Sequence, residues 1–346
     1  MKPLRPIWAI ALFNALALLF IPFALEAALT LLDPARGLPP DGYLDGTLYT
    51  WGHEVRINRY GFRERDFEIP KPPGTFRVMV LGDSFTYGIG MSTNDRYAGL
   101  LEAKLRLALP GRRVEVLTFA LPGFSFSAYR AMVGRYLERT DPDAVLVGFC
   151  YNDLQPRAQE YSVERELFDH QHPVLSSGFR VFLERHGFPH IGQSLQNGIY
   201  RCAEWLGIMP GWMEALDRAY QKHRPEWQAF LEDLKAVRIM LEEKGYNPPI
   251  FLALNQFPSP TSQTPRWSER RRYAQWYIQA LEAAARAGWR AADCADLIPP
   301  EAPSEWFFVN PADQHPSAAL HTLYARRAAE MILKQAGGSV KKNERH

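Results

Sequence analysis

Short apolar runs alternate with longer amphipathic segments along most of this chain. The apolar runs have strand length and predict β-strands at residues 77–81, 114–119, 144–149 and 249–254, with a weaker fifth strand near 289–294. The segments between and after them carry apolar residues at helical spacing and predict helices at 95–109, 127–139, 227–244, 267–287 and 318–333. This alternation is typical of a parallel sheet with helices on both faces.

One long segment, from about residue 154 to 224, interrupts the alternation. It predicts short helical pieces at 178–185 and 199–205 and follows directly after the third strand and its Asn152. Two interpretations stay open: a lid or substrate-recognition cap over the end of the sheet, or a peripheral insertion that enlarges the core.

The first residues form a separate apolar pattern. Lys2 and Arg5 precede a run without charge from residue 6 to 25, which is long enough to cross a bilayer core. The basic residues favour a cytoplasmic amino terminus with the rest of the chain exported. Glu26 stands where a signal-peptide cleavage site needs a small residue. We therefore expect a retained anchor at residues 1–32, in preference to a cleaved signal peptide or a buried soluble helix.

Composition bounds the remaining organisation. At 346 residues and 47% hydrophobic, the chain fits one large α/β domain, predicted at 76–336, preceded by a Pro- and Gly-rich stalk at 33–75 that packs irregularly onto it. The basic residues at 337–346 predict a solvated tail. A formal net charge of +2 without a basic stripe gives no reason to expect nucleic-acid binding.

The cysteines and histidines point to no metal. Cys150, Cys202 and Cys294 are three in number and lack Cys-x-x-Cys spacing, so they indicate neither a disulfide framework nor a zinc site. An exported protein can form a disulfide between Cys202 and Cys294, but we do not favour this pairing. We expect no metal and no cofactor.

The most informative residues follow the first predicted strand. Gly82, Asp83 and Ser84 stand where the strand ends and a helical segment begins. In a doubly wound fold this position is the carboxyl edge of the sheet, where ligands bind. A serine hydroxyl there is either a nucleophile or a helix cap, and its partners decide between them.

Partners of the required types occur near the last helix, at Asp313 and His315. A hydroxyl becomes a good nucleophile when a neutral imidazole accepts its proton, and the imidazole needs an acceptor on its other nitrogen. Ser84, His315 and Asp313 supply these three chemical types.

Two further segments supply hydrogen-bond donors. Gly123 follows the second strand and allows close approach of its backbone N–H, and Asn152 follows the third strand with an amide donor. With Ser84 and His315, the chain shows serine, glycine, asparagine and histidine in this order, each after a strand or at the start of a helix.

This order of blocks resembles the SGNH hydrolases, also called the GDSL esterase family, and in particular its membrane-anchored bacterial type. The resemblance covers about residues 76–333 and implies a flavodoxin-like three-layer α/β/α fold with a five-stranded parallel sheet. It implies Ser84 as nucleophile, His315 as general base, Asp313 as the orienting acid, and an oxyanion hole made of the Ser84 N–H, the Gly123 N–H and the Asn152 side chain.

One departure concerns the acid. The family commonly spaces it as Asp-x-x-His, whereas here Gln314 alone separates Asp313 from His315. If Asp313 does not reach the imidazole, Asp296 or a backbone carbonyl is the alternative. Asp83 and Asp153 are expected to be structural caps and turn formers.

The resemblance implies a serine acyl-ester hydrolase outside the cytoplasm, attached to the membrane by its amino-terminal helix. Its substrate is expected to be an acyl ester, with an acetylated glycan as one class. Two alternatives stay open: an O-acetyltransferase on envelope polysaccharide or exopolysaccharide, and a catalytically silent glycan-binding or assembly protein.

Overall fold

The computed structural model describes residues 5–32, 42–44, 47–154, 171, 178–208, 211–310 and 313–343. The chain divides into two compact units. One contains residues 38–158 and 216–346 and carries all the predicted site residues, and the other contains residues 1–37 and 159–215.

The larger unit is built on a five-stranded parallel sheet. Its strands are β4 (Thr75–Gly82), β5 (Arg113–Ala120), β6 (Ala144–Phe149), β7 (Ile250–Ala253) and β8 (Arg290–Asp293), in the order β5-β4-β6-β7-β8. Every residue of β4 and β6 is buried, which requires that both faces of the sheet are covered. The α/β fold and the five predicted strands are confirmed.

Helices of this unit pack in pairs. Their bounds are α2 (Ser84–Tyr87), α3 (Tyr97–Ala108), α4 (Phe126–Thr140), α7 (Trp212–Ala219, which begins in the smaller unit), α8 (Pro225–Glu243), α9 (Pro265–Glu269), α10 (Arg271–Arg286) and α11 (Ala318–Asn343). Phe126 of α4 lies edge-on to Phe230 of α8, and Tyr97 of α3 stacks on His321 of α11. The predicted tail at 337–346 is helical as far as Asn343, where α11 ends, and its solvation stays a prediction.

The first two strands of the sheet are joined by a buried ion pair. Arg77 of β4 lies opposite Glu115 of β5 in the parallel register, and its guanidinium donates to the Glu115 carboxylate at 2.6 and 2.8 Å. Arg77 also donates to the carbonyl of Thr140. Because the pair is fully enclosed, each charge depends on the other for its solvation.

The segment before β4 is more regular than its composition predicts. Strands β1 (Gly42–Leu44), β2 (Thr47–Thr50) and β3 (His53–Val55) form an antiparallel sheet. Thr50 pairs with His53, so Trp51 and Gly52 are a two-residue hairpin turn. Over residues 42–44 and 47–55, ordered strands and their hairpin turn therefore replace the irregular stalk expected here.

In the smaller unit, α1 (Arg5–Leu32), α5 (Phe179–Arg185) and α6 (Pro189–Trp205) are the described helices that belong wholly to it. Glu26 of α1 accepts hydrogen bonds from the backbone N–H groups of His190 and Ile191, so its carboxylate caps the start of α6. Burial acts to raise the pKa of Glu26, but these bonds and the His190 side chain outweigh it and lower the pKa.

The predicted helix of the amino-terminal run is present as α1. Across the described part of the chain, however, none of the helices is both long enough and apolar enough to span a bilayer. Most of residues 155–177 lie outside the described residues, so the lid interpretation of the insertion stays a prediction.

Candidate active site

The register of the sheet brings three predicted segments to one edge. Gly82, the last residue of β4, pairs with Ala120 of β5 on one side and with Gly148 of β6 on the other. Ser84, Gly123 and Asn152 therefore leave the same carboxyl edge at nearly the same level. This is the point at which the strand order reverses, where open α/β sheets bind ligands.

Ser84 begins the short helix α2 and is held there by Asp83. The Asp83 carboxylate accepts from the Phe85 N–H at 2.9 Å, and the Ser84 hydroxyl donates to its other oxygen at 3.3 Å. Asp83 is thus the helix cap that the sequence predicts. Ser84 itself remains partly exposed, although its three successors in α2 are buried.

The turn into α2 depends on the absence of a side chain at Gly82. A Cβ there would overlap the side chain of Thr86, and one at Gly148 would overlap the same Thr86 and the Tyr97 hydroxyl. Thr86 and Tyr97 are hydrogen-bonded at 3.0 Å beneath the edge. The two glycines therefore let α2 pack directly on the strand ends.

Asp313 and His315 are in direct contact despite their short spacing. Asp313 Oδ1 lies 2.5 Å from His315 Nδ1 and also accepts from the His315 backbone N–H at 2.9 Å. Asp296, the alternative acid, is bonded to Arg327 instead. The structure thus brings together the predicted acid and base.

The His315 imidazole also lies beside the segment that carries Ser84, the predicted nucleophile. Its ring packs edge-on against that of Phe85, the residue after Ser84, with the centroids 5.8 Å apart. Within the part of the chain that the structure describes, no hydrogen bond joins the Ser84 hydroxyl to His315. The hydroxyl donates to Asp83 instead.

Burial and hydrogen bonding set opposite shifts on the two acids. Burial raises the pKa of Asp83, against the lowering effects of the Phe85 N–H, a charged His315 and the side chains of Ser84 and Asn152. Burial also acts to raise the pKa of Asp313, but the bonds and charge of His315 and a bond from Trp51 outweigh it and lower the pKa. Asp313 is therefore kept ionised beside the imidazole.

The predicted oxyanion donors occupy two turns. Gly123 has φ of 78°, lies exposed in a turn closed by the Phe124 N–H and the Leu121 carbonyl, and has open space where a Cβ would stand. Asn152 is partly exposed in the turn after β6, and its amide contributes to the hydrogen bonding of Asp83. Both donors border the edge at which Ser84 lies.

Asp153 supports the Asn152 turn from below. Its carboxylate accepts from the Cys150 N–H at 2.9 Å, and its carbonyl accepts from the Phe126 N–H at the start of α4. It is the turn former that the sequence predicts. Burial and the neighbouring Asp83 raise the pKa of Asp153 well above its ordinary value.

Cys150 and Cys294 are buried and Cys202 is exposed, and all three are free thiols. The disfavoured bridge between Cys202 and Cys294 is not formed. The buried position of Cys150 at the end of β6 agrees with a core role.

Two residues of the site were not found from the sequence. Trp51 donates its indole N–H to Asp313 Oδ2 at 2.6 Å, and Arg63 donates to the carbonyls of Tyr87 and Gly88 at the end of α2. Both lie in the segment read as a stalk. No pattern in the sequence singles out Trp51.

A buried histidine links the last helix to the site. His321 of α11 accepts from the Tyr97 N–H at 3.1 Å. The Tyr97 hydroxyl is in turn hydrogen-bonded to Thr86 of α2. Burial, together with the charges of Arg96 and Arg63, lowers the pKa of His321 to about 3. The folded protein therefore keeps this imidazole neutral.

This neutral histidine predicts a loss of stability in acid. The unfolded chain binds a proton at His321 below about pH 6.5, whereas the folded chain does so only near pH 3. The contribution of the neutral imidazole to the free energy of unfolding is complete above pH 6.5 and falls by about 4 kcal/mol as the pH decreases to 3. Urea unfolding of the wild type at a series of pH values measures it.

His321→Asn is the matched control, because its side-chain oxygen stands near the position of Nδ1 and does not titrate. We expect the free energy of unfolding of this variant to depend less on pH between 6.5 and 4. Parallel curves for the two proteins would show that another group carries the acid dependence.

Comparison with known proteins agrees with this geometry. The sequence model of the GDSL-like lipase/acylhydrolase family matches residues 80–323, which include every predicted site residue. No curated protein matches the chain significantly.

Solved structures of one α/β hydrolase and two esterases are similar to the chain at low identity. An α/β hydrolase enzyme, LAE5, from the metagenome of Lake Arreo is 16% identical with a TM-score of 0.41, covering 75% of this chain and 96% of that one. A catalytic mutant of Axe2, an acetylxylan esterase from Geobacillus stearothermophilus, is 14% identical with a TM-score of 0.41, covering 74% and 94%. The psychrotrophic esterase EstA from Pseudoalteromonas sp. is 14% identical with a TM-score of 0.35, covering 78% and 99%.

The assignment rests on the family match, because these structural similarities are distant. The match spans most of the chain and contains Ser84, Gly123, Asn152 and the Asp313–His315 pair. The chain belongs to the GDSL-like lipase/acylhydrolase family and is a hydrolase of ester bonds.

Proposed function

We propose that the protein hydrolyses acyl esters with a Ser84–His315–Asp313 triad. The observation that carries this proposal is the bond of 2.5 Å between Asp313 Oδ1 and His315 Nδ1, on an imidazole that packs against the residue after Ser84. With Nδ1 bonded to the acid, Nε2 is the nitrogen that remains to accept the serine proton.

The reaction begins with the hydroxyl leaving Asp83. Ser84 Oγ attacks the carbonyl carbon of the ester while His315 Nε2 takes its proton, and the carbonyl oxygen becomes an oxyanion. The backbone N–H groups of Ser84 and Gly123 and the Asn152 amide donate hydrogen bonds to it. The imidazolium that forms is stabilised by the ionised Asp313.

The tetrahedral intermediate then collapses. Its carbon–oxygen bond to the alcohol breaks, His315 gives the alcohol its proton, and the acyl group remains on Ser84. Water then attacks the acyl carbon while His315 takes its proton. The bond between the acyl carbon and Ser84 Oγ breaks, His315 returns the proton to Ser84, and the carboxylic acid is released. The Asn152 side chain also contributes to the hydrogen bonding of Asp83, the residue that caps α2 at Ser84.

A fluorophosphonate probe tests this proposal on the full-length chain. An activated serine attacks the phosphorus of the probe and displaces fluoride, and intact mass reports the adduct. We expect one adduct on the wild type and on Ser92→Ala, a control serine bonded to Asp95 on the same segment, and none on Ser84→Ala or His315→Ala. A folded wild type without adduct would contradict the triad and favour the silent glycan-binding alternative.

The acyl acceptor and the substrate are proposed from the family resemblance. We take water as the acceptor and an O-acetyl ester, including one on a glycan, as the substrate class. Free acetate, measured with and without an added sugar whose hydroxyl groups can accept the acetyl group, separates hydrolysis from transfer. O-acetylated sugar formed in place of free acetate would favour the O-acetyltransferase.

Location is likewise proposed from the sequence alone. Lys2, Arg5 and the apolar run at 6–25 favour a membrane-attached chain with its catalytic domain outside the cytoplasm. The described helices supply no membrane span to support this. Fractionation of cells with and without sodium carbonate extraction decides whether the chain is held by the membrane.

A further inference from the structure

The hairpin turn between β2 and β3 has an unusual residue for its conformation. Trp51 has φ of 43° and Gly52 has φ of 88°. A two-residue hairpin turn of type I′ requires positive φ at both of its central residues. Glycine and asparagine adopt this conformation readily, whereas a bulky residue does so at an energetic cost. The tryptophan side chain therefore needs a compensating contact.

That contact is with the proposed triad acid. The Trp51 indole N–H donates to Asp313 Oδ2 at 2.6 Å, while Oδ1 of the same carboxylate is occupied by His315. Both oxygens of Asp313 thus have fixed partners. Oδ1 is held by the imidazole and backbone N–H of His315, whereas among the residues that the structure describes only the Trp51 indole holds Oδ2, so the indole completes the definition of the carboxylate plane.

The hairpin itself is fixed to the elements that carry the nucleophile. The Thr50 hydroxyl accepts from the Gly90 N–H at 2.8 Å, just after α2. Leu48, Trp51 and Leu121 pack against a buried cluster formed by Val55, Tyr87, Ile89 and Ala120. Tyr87 ends α2 and Ala120 ends β5, so the tryptophan is held relative to Ser84 as well as to Asp313.

We propose that Trp51 is a positioning residue for catalysis, which fixes the orientation of Asp313 and through it that of His315. This inference rests on the proposed triad. It makes the small antiparallel sheet at residues 42–55 a part of the catalytic machinery, reaching the acid across 262 residues of sequence.

A double-mutant cycle on the full-length chain tests the inference. Trp51→Phe keeps an aromatic ring and removes the donor, and we expect kcat for p-nitrophenyl acetate to fall about tenfold with KM changed less than about twofold. In the Asp313→Ala background the same change should cost less than about twofold, because the partner of the donor is already gone.

Trp289→Phe is the matched control. Its buried indole N–H donates to the Leu234 carbonyl at 3.0 Å, away from the site. We expect it to lower the midpoint of thermal unfolding and leave kcat within about twofold of wild type in both backgrounds. If Trp51→Phe fails to fold, benzothienylalanine at position 51 removes the N–H with the shape of the side chain retained.

The outcomes separate this inference from the proposed function. An unchanged kcat, a loss that appears in KM, or an equal loss with and without Asp313 overturns the role of Trp51 while the triad stands. A wild type without Ser84-dependent esterase activity overturns the triad itself, and the inference with it.

Discussion

Replacing Ser84 by alanine is expected to lower kcat for hydrolysis of p-nitrophenyl acetate by about 10⁴-fold or more. The substitution removes only the hydroxyl group, whose hydrogen bond in this structure is to Asp83 at 3.3 Å. The fold should therefore survive, and far-UV circular dichroism and the thermal midpoint of the variant should stay close to those of the wild type.

His315→Ala should cause a loss of similar size, and the double variant should be little worse than either single one. The reason is that nucleophile and base act as one unit, so that removing the second has no further effect once the first is gone. Steady-state kinetics of the three variants measure this. Losses that multiply in the double variant would show that Ser84 and His315 act independently.

Replacing Asn152 by alanine is expected to lower kcat by about 10²–10³-fold and to change KM little. The amide is proposed to bond the oxygen only after it becomes an oxyanion, so its loss affects the transition state more than the bound ester. Steady-state kinetics on the same ester measure both constants.

Asn247→Ala is the control for this variant. Asn247 is exposed just before β7, at the amino end of the sheet and away from the site edge. We expect its kinetic constants to equal those of the wild type. An Asn152→Ala enzyme with unchanged kcat would remove Asn152 from the oxyanion hole and leave it as a turn residue.

The sequence predicted the sheet well because its strands are buried on both faces. Continuous apolar runs such as the one in β4 leave little alternative to a covered strand. Helix ends were less accurate: α10 begins after a separate short helix, and α11 runs past its predicted end to Asn343. Such ends depend on packing partners that lie elsewhere in the chain.

The sequence by itself determined the fold class and the residues of the proposed triad and oxyanion hole. These residues follow strand ends or begin helices, and a parallel sheet brings all strand ends to one edge. It also suggested that Asp313 orients His315, because the two residues are separated in the chain by Gln314 alone.

Only the tertiary structure decided which residues hold that site in place. Trp51 reaches Asp313 and Arg63 reaches the end of α2 from a segment whose composition suggested a stalk. His321 supports Tyr97 from the last helix. Contacts between residues so far apart in the chain leave no periodicity or spacing in the sequence, because they arise when separately formed elements pack together.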